Sequence, residues 1–392
     1  MSKNEKMCAL RKTSIGGQAL IEGIMMRGPK VTAMAVRNTK GEIVIEKEPT
    51  QSANAPAFFK IPVIRGVYSF IYSMKTGSKY LMRSAELSGL EELEEEIQRE
   101  KEAKKAAKRA AKAKNNVVET PCQTEINKTS NPVSDESAEQ DLKEETVVEA
   151  TVAELPTNSE PDKKKGSSAL TTIVMTIGTV LGIALAIGLF VVLPTYIYDL
   201  IKRIPAIGNV ESIALRSLYK SLFEGIIRVV LLVGYMAAIS LMKDIRRTFM
   251  YHGAEHKTIF CYEAGLELTV ENVKKQRRFH PRCGTSFLIL MVLVSIFISF
   301  FIDPIYASAT GNLEMPTILR VGLKLLLIPV IMGIGYELIK FAGKHDNVIT
   351  RIISAPGVWL QHITVFEPTD DMIECAIAAV KEVIPDDGSD KW

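Results

Sequence analysis

The residue types best suited to binding a metal lie together in one short stretch of this chain. His252 and His256 are four residues apart, so on a helix they share one face about one turn apart. Glu255 stands between them and completes the order H-x-x-E-H. In the inverted zinc peptidases, that order supplies two zinc-binding histidines and a glutamate that handles a water proton. The pattern predicts a metal site with Glu255 as general base, although Gly253 weakens the helix that it needs.

A second pair of ligand-type residues follows downstream. His280 and Cys283 are separated by two residues in the segment HPRCG, which is a usual spacing for a turn that holds two zinc ligands. In a catalytic site, His252 and His256 would bind the ion with a third group and leave one position for water. In a structural site, His280 and Cys283 would join the two histidines and complete the coordination.

The third ligand of a catalytic site has a candidate far along the chain. The inverted zinc peptidases take a glutamate from a later helix, and Glu337 in the tract GYELIK fits by residue type. An acid within an apolar segment is also a functional candidate by default. Two alternatives remain open at this point. Glu337 pairs with Lys340 or Lys344 instead, or the histidines bond backbone and phospholipid and no metal binds.

The chain also contains four apolar stretches that are long enough to cross the hydrocarbon core of a bilayer. They cover residues 170–193, 222–242, 285–303 and 319–341. Charged residues interrupt the second stretch at Glu224 and Arg228 and the fourth at Lys324 and Glu337. Residues 1–15 are polar and basic and lack the apolar region of a signal peptide. The sequence therefore predicts a multi-pass membrane protein with four transmembrane helices.

Basic residues predict which side of the membrane each segment occupies. Nine lie between the second and third stretches, four between the first and second, and only Arg320 near the segment between the third and fourth. This asymmetry places the histidine-rich segment and both termini in the cytoplasm, and the protein in the inner (plasma) membrane of a bacterium. Five cysteines without paired spacing fit that reducing compartment. The net charge of +3 gives no reason to expect nucleic-acid binding.

The regions outside the apolar stretches differ in composition and pattern. In the N-terminal region, Gly16–Gly17 predicts a turn, Asn38–Gly41 the turn of a β-hairpin, and the apolar spacing after Pro62 an amphipathic helix lying on the membrane or on the spans. In the C-terminal tail, Ser354–Gly357 predicts a turn and Thr369 the start of a helix.

These patterns together predict an α-helical integral membrane protein with four transmembrane helices plus a cytoplasmic α+β portion. The composition of 91–166 is that of a charged helix followed by a disordered linker. The predicted division is a cytoplasmic α+β N-terminal domain at 13–90, the charged helix and linker at 91–166, transmembrane helices 1–2 at 167–243, a cytoplasmic His/Cys segment at 244–284, transmembrane helices 3–4 at 285–343 and a cytoplasmic tail at 344–392.

Five phrases of the sequence, taken in order, resemble one protein family. They are GGQALIEGIMMRGP, YHGAEHKTI, HPRCGTSF, GYELIK and QHITVFEPTDDMIECAI. The chain resembles the YqhQ-like family of bacterial membrane proteins over residues 13–85 and about 170–384. Members of that family are described as predicted metal-dependent enzymes, so the resemblance implies a metal site at the positions named above. It implies no particular reaction, substrate or catalytic residue.

The function expected from the sequence is that of a zinc-dependent membrane enzyme, hydrolytic, acting at the cytoplasmic membrane face. Its substrate would be a peptide, a lipid headgroup or a small amphiphile. The alternative is a membrane scaffold or assembly factor without enzymatic activity, with a structural zinc site or no metal. The expected partners are the lipid bilayer and either a protein or a membrane-bound substrate, and the sequence leaves the oligomeric state open.

Overall fold

A computed structural model describes residues 12–50, 61–89, 167–201, 212–312, 315–345 and 347–391. The predicted charged helix and linker at 91–166 lie outside these residues. The described helices are α1 Ile64–Ser88, α2 Ser167–Ile187, α3 Leu193–Ile201, α4 Ile213–Ser240, α5 Lys243–Glu263, α6 Val270–Lys274, α7 Gly284–Thr310, α8 Thr317–Leu326, α9 Ile328–Lys344, α10 Val348–Thr364 and α11 Asp370–Val383. A π-helical turn, Gly188–Val192, joins α2 to α3.

The sheet is an antiparallel meander with its four strands in chain order. The strands are β1 Gly16–Leu20, β2 Gly23–Arg27, β3 Val31–Arg37 and β4 Ile43–Pro49. The predicted hairpin is confirmed by the turn between β3 and β4. There the side-chain oxygen of Asn38 accepts hydrogen bonds from the amides of Lys40 and Glu42. Gly41 has a φ of 85°, a left-handed conformation that favours glycine.

Gly16 and Gly17 lie in β1, so the predicted turn at these residues is wrong. A Cβ atom at Gly17 would come within 2.7 Å of the carbonyl oxygen of Met25 and 2.8 Å of the sulfur of Met26. Glycine is therefore needed because β2 approaches closely, and not because the chain reverses there. The same Cβ atom would lie 3.0 Å from the carboxyl carbon of Glu255, which shows how closely β1 packs on the histidine helix.

The two faces of the sheet pack against different helices, as the period-two alternation of strand side chains requires. Ile24 and Met26 of β2 are buried in a core shared with α5 and α11. Met25, between them, points to the opposite face and packs with Met34 and with Tyr80 of α1. The sheet is therefore covered on both sides, and α1 also packs on α9 of the span helices.

The C-terminal tail confirms one prediction and contradicts another. Thr369 is the N-cap residue of α11, and the apolar face of that helix is buried against the sheet, as expected. The turn predicted at Ser354–Gly357 is wrong, because these residues lie within α10. Asn347 begins that helix with a capping box. Close packing on α7 maintains it, since a Cβ atom at Gly357 would come within 2.3 Å of the Cβ of Ser286.

Three helical segments of the described chain are long and apolar enough to cross a membrane. They are Ile177–Ile201, Leu215–Ser240 and Gly284–Thr310. Helices α8 and α9 supply a fourth if this pair, bent by 44°, is one span. The structure therefore has three to four candidate spans where the sequence predicts four.

Charged residues of the span helices pair with one another inside the bundle. Glu224 of α4 accepts a hydrogen bond from Lys324 of α8, and Arg228 lies 3.4 Å from the same carboxylate. Arg320 of α8 pairs with Asp303 of α7 at 2.5 Å. We call these five residues the span ion-pair cluster. The charges that interrupt the apolar stretches are thus compensated within the protein, as charges in an apolar environment require.

Strands β1–β4 and helices α5, α6 and α11 form one packed unit, which we call the sheet module. Helix α5 begins at Lys243, just after α4 ends at Ser240, and α7 begins at Gly284 immediately after the module segment. The N-terminal region, the histidine-rich segment and the tail therefore lie together at one end of the span helices.

Candidate metal centre

The histidine pair lies on α5 in the interior of the sheet module. Gly253 does not break this helix, which runs without interruption from Lys243 to Glu263. A Cβ atom at Gly253 would lie 2.0 Å from the carbonyl oxygen of Phe366. Glycine thus allows the segment after α10 to pass directly against the helix. This close approach brings the end of α10 into contact with the ring of His252.

Cys283 joins the histidines from the start of α7, where it is the N-cap residue. Nε2 of His252 lies 3.0 Å from the sulfur of Cys283. Each of His252, His256 and Cys283 offers one ligand atom, and these atoms all lie within 4.8 Å of one another. All three residues are buried. We call them the His/Cys triad.

The outer nitrogens of both histidine rings are held by backbone carbonyls. Nδ1 of His252 lies 3.0 Å from the carbonyl oxygen of Thr364, and Nδ1 of His256 lies 2.6 Å from that of Arg278. A carbonyl oxygen only accepts, so the hydrogen-bond network assigns a proton to each Nδ1. The Nε2 atoms are then the ones available at the centre of the triad. Metal-binding histidines are commonly held in this way.

Charges within the triad favour a thiolate at Cys283. Burial raises the pKa of this thiol, but the facing rings of His252 and His256 lower it well below its usual value. Burial lowers the pKa of His252, and the Cys283 sulfur opposes this and raises it to about 9. The start of α7 also favours a negative charge at this position. The triad therefore combines a thiolate with positive charge, which a proton or a metal cation can supply.

The residues of the triad fit a zinc ion by type and spacing. Zinc binds histidine nitrogen at roughly 2.0–2.1 Å and cysteine sulfur at roughly 2.3 Å, in tetrahedral geometry. Ligand atoms of one tetrahedron are then roughly 3.3–3.8 Å apart. The separations within the triad, of at most 4.8 Å, lie close to that range. Three protein ligands also leave one position for water or substrate.

His280, proposed from the sequence as a fourth ligand, lies next to the triad and is not part of it. Its ring centroid is 5.5 Å from that of His256, and its Nε2 is 3.9 Å from a carboxylate oxygen of Glu263. Its backbone amide and carbonyl are both bound by the side chain of Gln361. Burial lowers the pKa of His280 to about 4 and keeps the ring neutral. The structure therefore brings together three of the four residues of the predicted structural site.

Glu337, proposed as a third ligand of a catalytic site, is bound elsewhere. Both of its carboxylate oxygens accept hydrogen bonds from Arg65 of α1, at 2.6–3.1 Å. Arg65 is therefore a hydrogen-bond partner of Glu337 that the sequence analysis did not propose. The structure does not place Glu337 in the His/Cys triad, whose third residue is Cys283.

Glu255, proposed as general base, lies beside the triad. Its carboxylate accepts a hydrogen bond from the amide of Gly17 at 3.0 Å. Burial raises its pKa above the usual value, although both histidines of the triad oppose this. Together with His256 and Cys283, it lines a cavity of about 150 Å³ whose other wall is the segment 13–17. A water in this cavity would therefore have a carboxylate and the triad within reach.

The sequence patterns did not reveal the residues that support this cavity. Glu263 accepts a hydrogen bond from the side chain of Arg282 and another from the amide of Thr13 at 2.9 Å. Arg282 also donates to the carbonyl oxygen of Thr13 at 3.0 Å. Arg282 and His280 lower the pKa of Glu263 despite its burial. The pair Gly16–Gly17 is the sequence feature that reflects the close approach of this segment to another backbone, although the pair by itself predicts a turn.

A family model described as "Protein of unknown function (DUF1385)" matches residues 61–386. The chain is 30% identical over 373 residues to "Uncharacterized protein YqhQ" of Bacillus subtilis (strain 168), covering 94% of this chain and 92% of that protein. No solved structure matches the chain. The family match spans the triad, Glu255 and every span, and the chain belongs to this DUF1385, YqhQ-like family.

Proposed function

We propose that the protein is a zinc-dependent hydrolase at the membrane surface. One observation carries the proposal: two histidine Nε2 atoms and one cysteine sulfur converge beside a buried carboxylate, and both outer ring nitrogens are fixed by carbonyls. Such a set of ligands holds a divalent cation better than a proton, because three donor atoms share one centre. When bound, zinc would supply a Lewis acid at this point.

Three protein ligands favour a catalytic role over a structural one. Structural zinc sites use four protein ligands, whereas catalytic sites keep a position for water or substrate. His280 is the residue that would complete a structural site, and its ring is directed to Glu263 at 3.9 Å. The cavity of about 150 Å³ next to the triad offers the space that an open position needs.

Glu255 is the residue suited to move a proton. A carboxylate whose pKa is raised by burial is a better base than an exposed one, since its charged form is less stabilised. The amide of Gly17 fixes its orientation at 3.0 Å. In this arrangement, Glu255 would accept the proton of a water that lies between it and the triad.

The proposed location is the cytoplasmic face of a bacterial inner membrane. The nine basic residues between the second and third apolar stretches support it. The N-terminal region, the histidine-rich segment and the C-terminal tail should lie on the same side of the membrane. Their packing supports this, because strands β1–β4, α5 and α11 share one core. A reporter that is active only outside the cytoplasm should therefore be silent when fused after Gly265.

Metal content tests the proposal first. The full chain, purified in detergent from zinc-replete cells, should carry about one zinc per chain by elemental analysis. His252→Ala and Cys283→Ala should each reduce the zinc content strongly. His362→Ala is the matched control, because this histidine is exposed on α10 and lies outside the triad, with a hydrogen bond to the carbonyl of Trp359 and a ring contact with Phe279. Folded protein without zinc would contradict the proposal.

Glu255→Gln tests catalysis separately from metal binding. The variant should keep its zinc and its melting temperature, and should lose hydrolysis of ester, phosphoester and peptide substrates offered as a panel. Loss of the general base lowers rates by roughly 10²–10⁴-fold. Unchanged hydrolysis by this variant, or full rescue of a gene-deletion phenotype by it, would argue against the enzyme.

The second candidate function is a membrane scaffold with a structural zinc site or no metal. The direct contact of 3.0 Å between His252 and Cys283 favours it, because a thiolate and an imidazolium already satisfy one another there. If the zinc is structural, its removal should unfold the sheet module. If no metal binds, a chelator should have no effect. In both cases Glu255→Gln should leave the function of the protein unchanged.

A further inference from the structure

A second and larger cavity lies on the other side of β1. Its volume is about 610 Å³, within the usual range of roughly 300–1,000 Å³ for small-molecule sites. Ser14, Gly16 and Gly17 line both this cavity and the smaller one that contains Glu255. The two cavities therefore share one wall, and that wall is the strand whose amide binds the proposed base.

The lining of the larger cavity is suited to an anion. Arg27 is its basic residue, and among the described lining residues there is no aspartate or glutamate. The guanidinium lies 4.6 Å from the ring centre of Tyr72, which positions it without neutralising it. Hydroxyl groups of Ser69, Ser73 and Tyr72 lie on the α1 side of the same space. Arginine with hydroxyl donors is the usual recognition set for phosphate oxygens.

The position of α1 indicates where such an anion comes from. Ile71 and Met74 are 60% and 59% exposed, so this helix presents large apolar side chains outward. An α-helix has 3.6 residues per turn, so around the axis of α1 these two residues lie roughly 160° from the residues that line the cavity. An amphipathic helix of this kind lies in the membrane interface. Its opposite, polar side forms the cavity.

The membrane-facing part of the fold also reaches the cavity directly. Helix α1 packs on α9, where a Cβ atom at Gly66 would come within 2.9 Å of the Cα of Gly333. Tyr336, one turn further along α9, lines the cavity. The cavity is therefore bounded by the interfacial helix and by the bent candidate span. A ligand there would have its polar end on Arg27 and its apolar end among lipids.

We propose that the cavity beside Arg27 binds the phosphate headgroup of a membrane lipid. This inference goes beyond the proposed function, because β1 separates this cavity from the triad and a headgroup can bind here whether or not the triad acts on it. The binding itself depends only on Arg27, the hydroxyl groups of α1 and the interfacial position of the helix.

Native mass spectrometry of the detergent-solubilised full chain tests the binding. Dihexanoyl phosphatidic acid should form a one-to-one complex, and dihexanoyl phosphatidylcholine should bind clearly more weakly, because its headgroup carries no net charge. Arg27→Gln should weaken binding of the phosphatidic acid roughly tenfold or more. Lys75→Gln is the matched control: it removes one exposed charge of the same helix, outside the cavity lining, and should bind as the unaltered chain does.

Two further measurements keep the outcomes distinct. Tyr72→Leu retains the charge of Arg27 and removes the ring beneath it, so binding should weaken less than in Arg27→Gln. Inorganic phosphate should bind much more weakly than the lipid. Equal binding of inorganic phosphate, or unaltered lipid binding in Arg27→Gln, would overturn the inference. Zinc content measured on the same samples separates the two ideas: lipid binding by zinc-free wild-type protein would refute the proposed hydrolase and leave this site standing.

Discussion

The His/Cys triad and the span ion-pair cluster are both buried, and they differ in how their polar atoms are compensated. The His/Cys triad places two ring nitrogens and one sulfur around a common centre, beside a cavity of about 150 Å³. The span ion-pair cluster instead sets cations against carboxylates: Lys324 against Glu224 and Arg320 against Asp303.

Under the zinc proposal, the triad needs a bound cation to balance its ligand atoms, whereas the span ion-pair cluster contains both of its charges. Electron-pair donor atoms that face one another, such as ring nitrogens and a thiolate sulfur, are stable together only when a proton or a metal cation lies between them. Opposite charges in contact already provide that compensation, although two buried atoms of the cluster, a carboxylate oxygen of Glu224 and Nε of Arg320, have no hydrogen-bond partner. Loss of one member should therefore destabilise the cluster, and under the zinc proposal removal of the metal should destabilise the triad.

The largest effect is expected for Glu224→Gln. This nearly isosteric change leaves Lys324 and Arg228 as buried cations without their shared carboxylate. Breaking a buried pair in this way costs about 3–5 kcal/mol of unfolding free energy. Lys324→Met is the comparison variant, because Glu224 and Arg228 remain paired in it, and it should lose less. Thermal unfolding in detergent measures both, and equal losses would contradict the described pairing.

The second effect is expected for zinc removal from the unaltered chain. A chelator should lower the unfolding free energy by about 3–4 kcal/mol relative to protein with zinc at 100–1,000 times its dissociation constant. The shift should vanish in Cys283→Ala, since that variant has lost a ligand, and it should persist in Lys324→Met. A chelator effect of the same size in all three proteins would show that the metal binds elsewhere.

A smaller effect is expected for His280→Asn, and it decides between three and four zinc ligands. If His280 only packs against His256 and Glu263, the variant keeps its zinc and loses about 1–3 kcal/mol from the buried polar contacts. Loss of zinc together with stability would show that His280 moves into the coordination sphere and that the site is the closed, structural kind.

The smallest effect is expected for Glu337→Gln. Arg65 and Glu337 are each about one-third exposed, with side-chain exposures of 32% and 28%, so solvent screens their interaction. Such a pair contributes about 0–1 kcal/mol. Zinc content should be unchanged, because the carboxylate is bound to α1 and lies outside the triad. A zinc-free variant would restore Glu337 as a ligand.

The features that the sequence predicted correctly are local in the chain. The hairpin at Asn38–Gly41 and the helix after Thr369 depend on residues a few positions apart, and turn chemistry and capping determine them. The pairing of His252 with His256 follows from one turn of helix. Cys283 is proposed from its spacing to His280 in the segment HPRCG, and it lies beside the histidine pair.

The features that the sequence missed depend on contacts between distant segments. Gly17 is glycine because β2 and Glu255 approach it, and no neighbour in the chain signals this. His280 is held outside the triad by Gln361, 81 positions away. The apparent turn at Ser354–Gly357 is held in a helix by packing on α7. Secondary-structure propensity and residue spacing report on neighbours in the chain, so they do not predict contacts between distant segments.

The order of the segments in the sheet module has a consequence for synthesis. The strands end at Pro49, whereas α11, which fills the same core, begins at Asp370. At about 5–20 residues per second, a ribosome needs roughly 15–65 s to make the intervening chain. During that time the span helices leave the ribosome while the newborn sheet still exposes its apolar face. The last turns of the chain therefore complete a domain that was begun first, and a protein truncated before Asp370 should be recognised by chaperones and proteases.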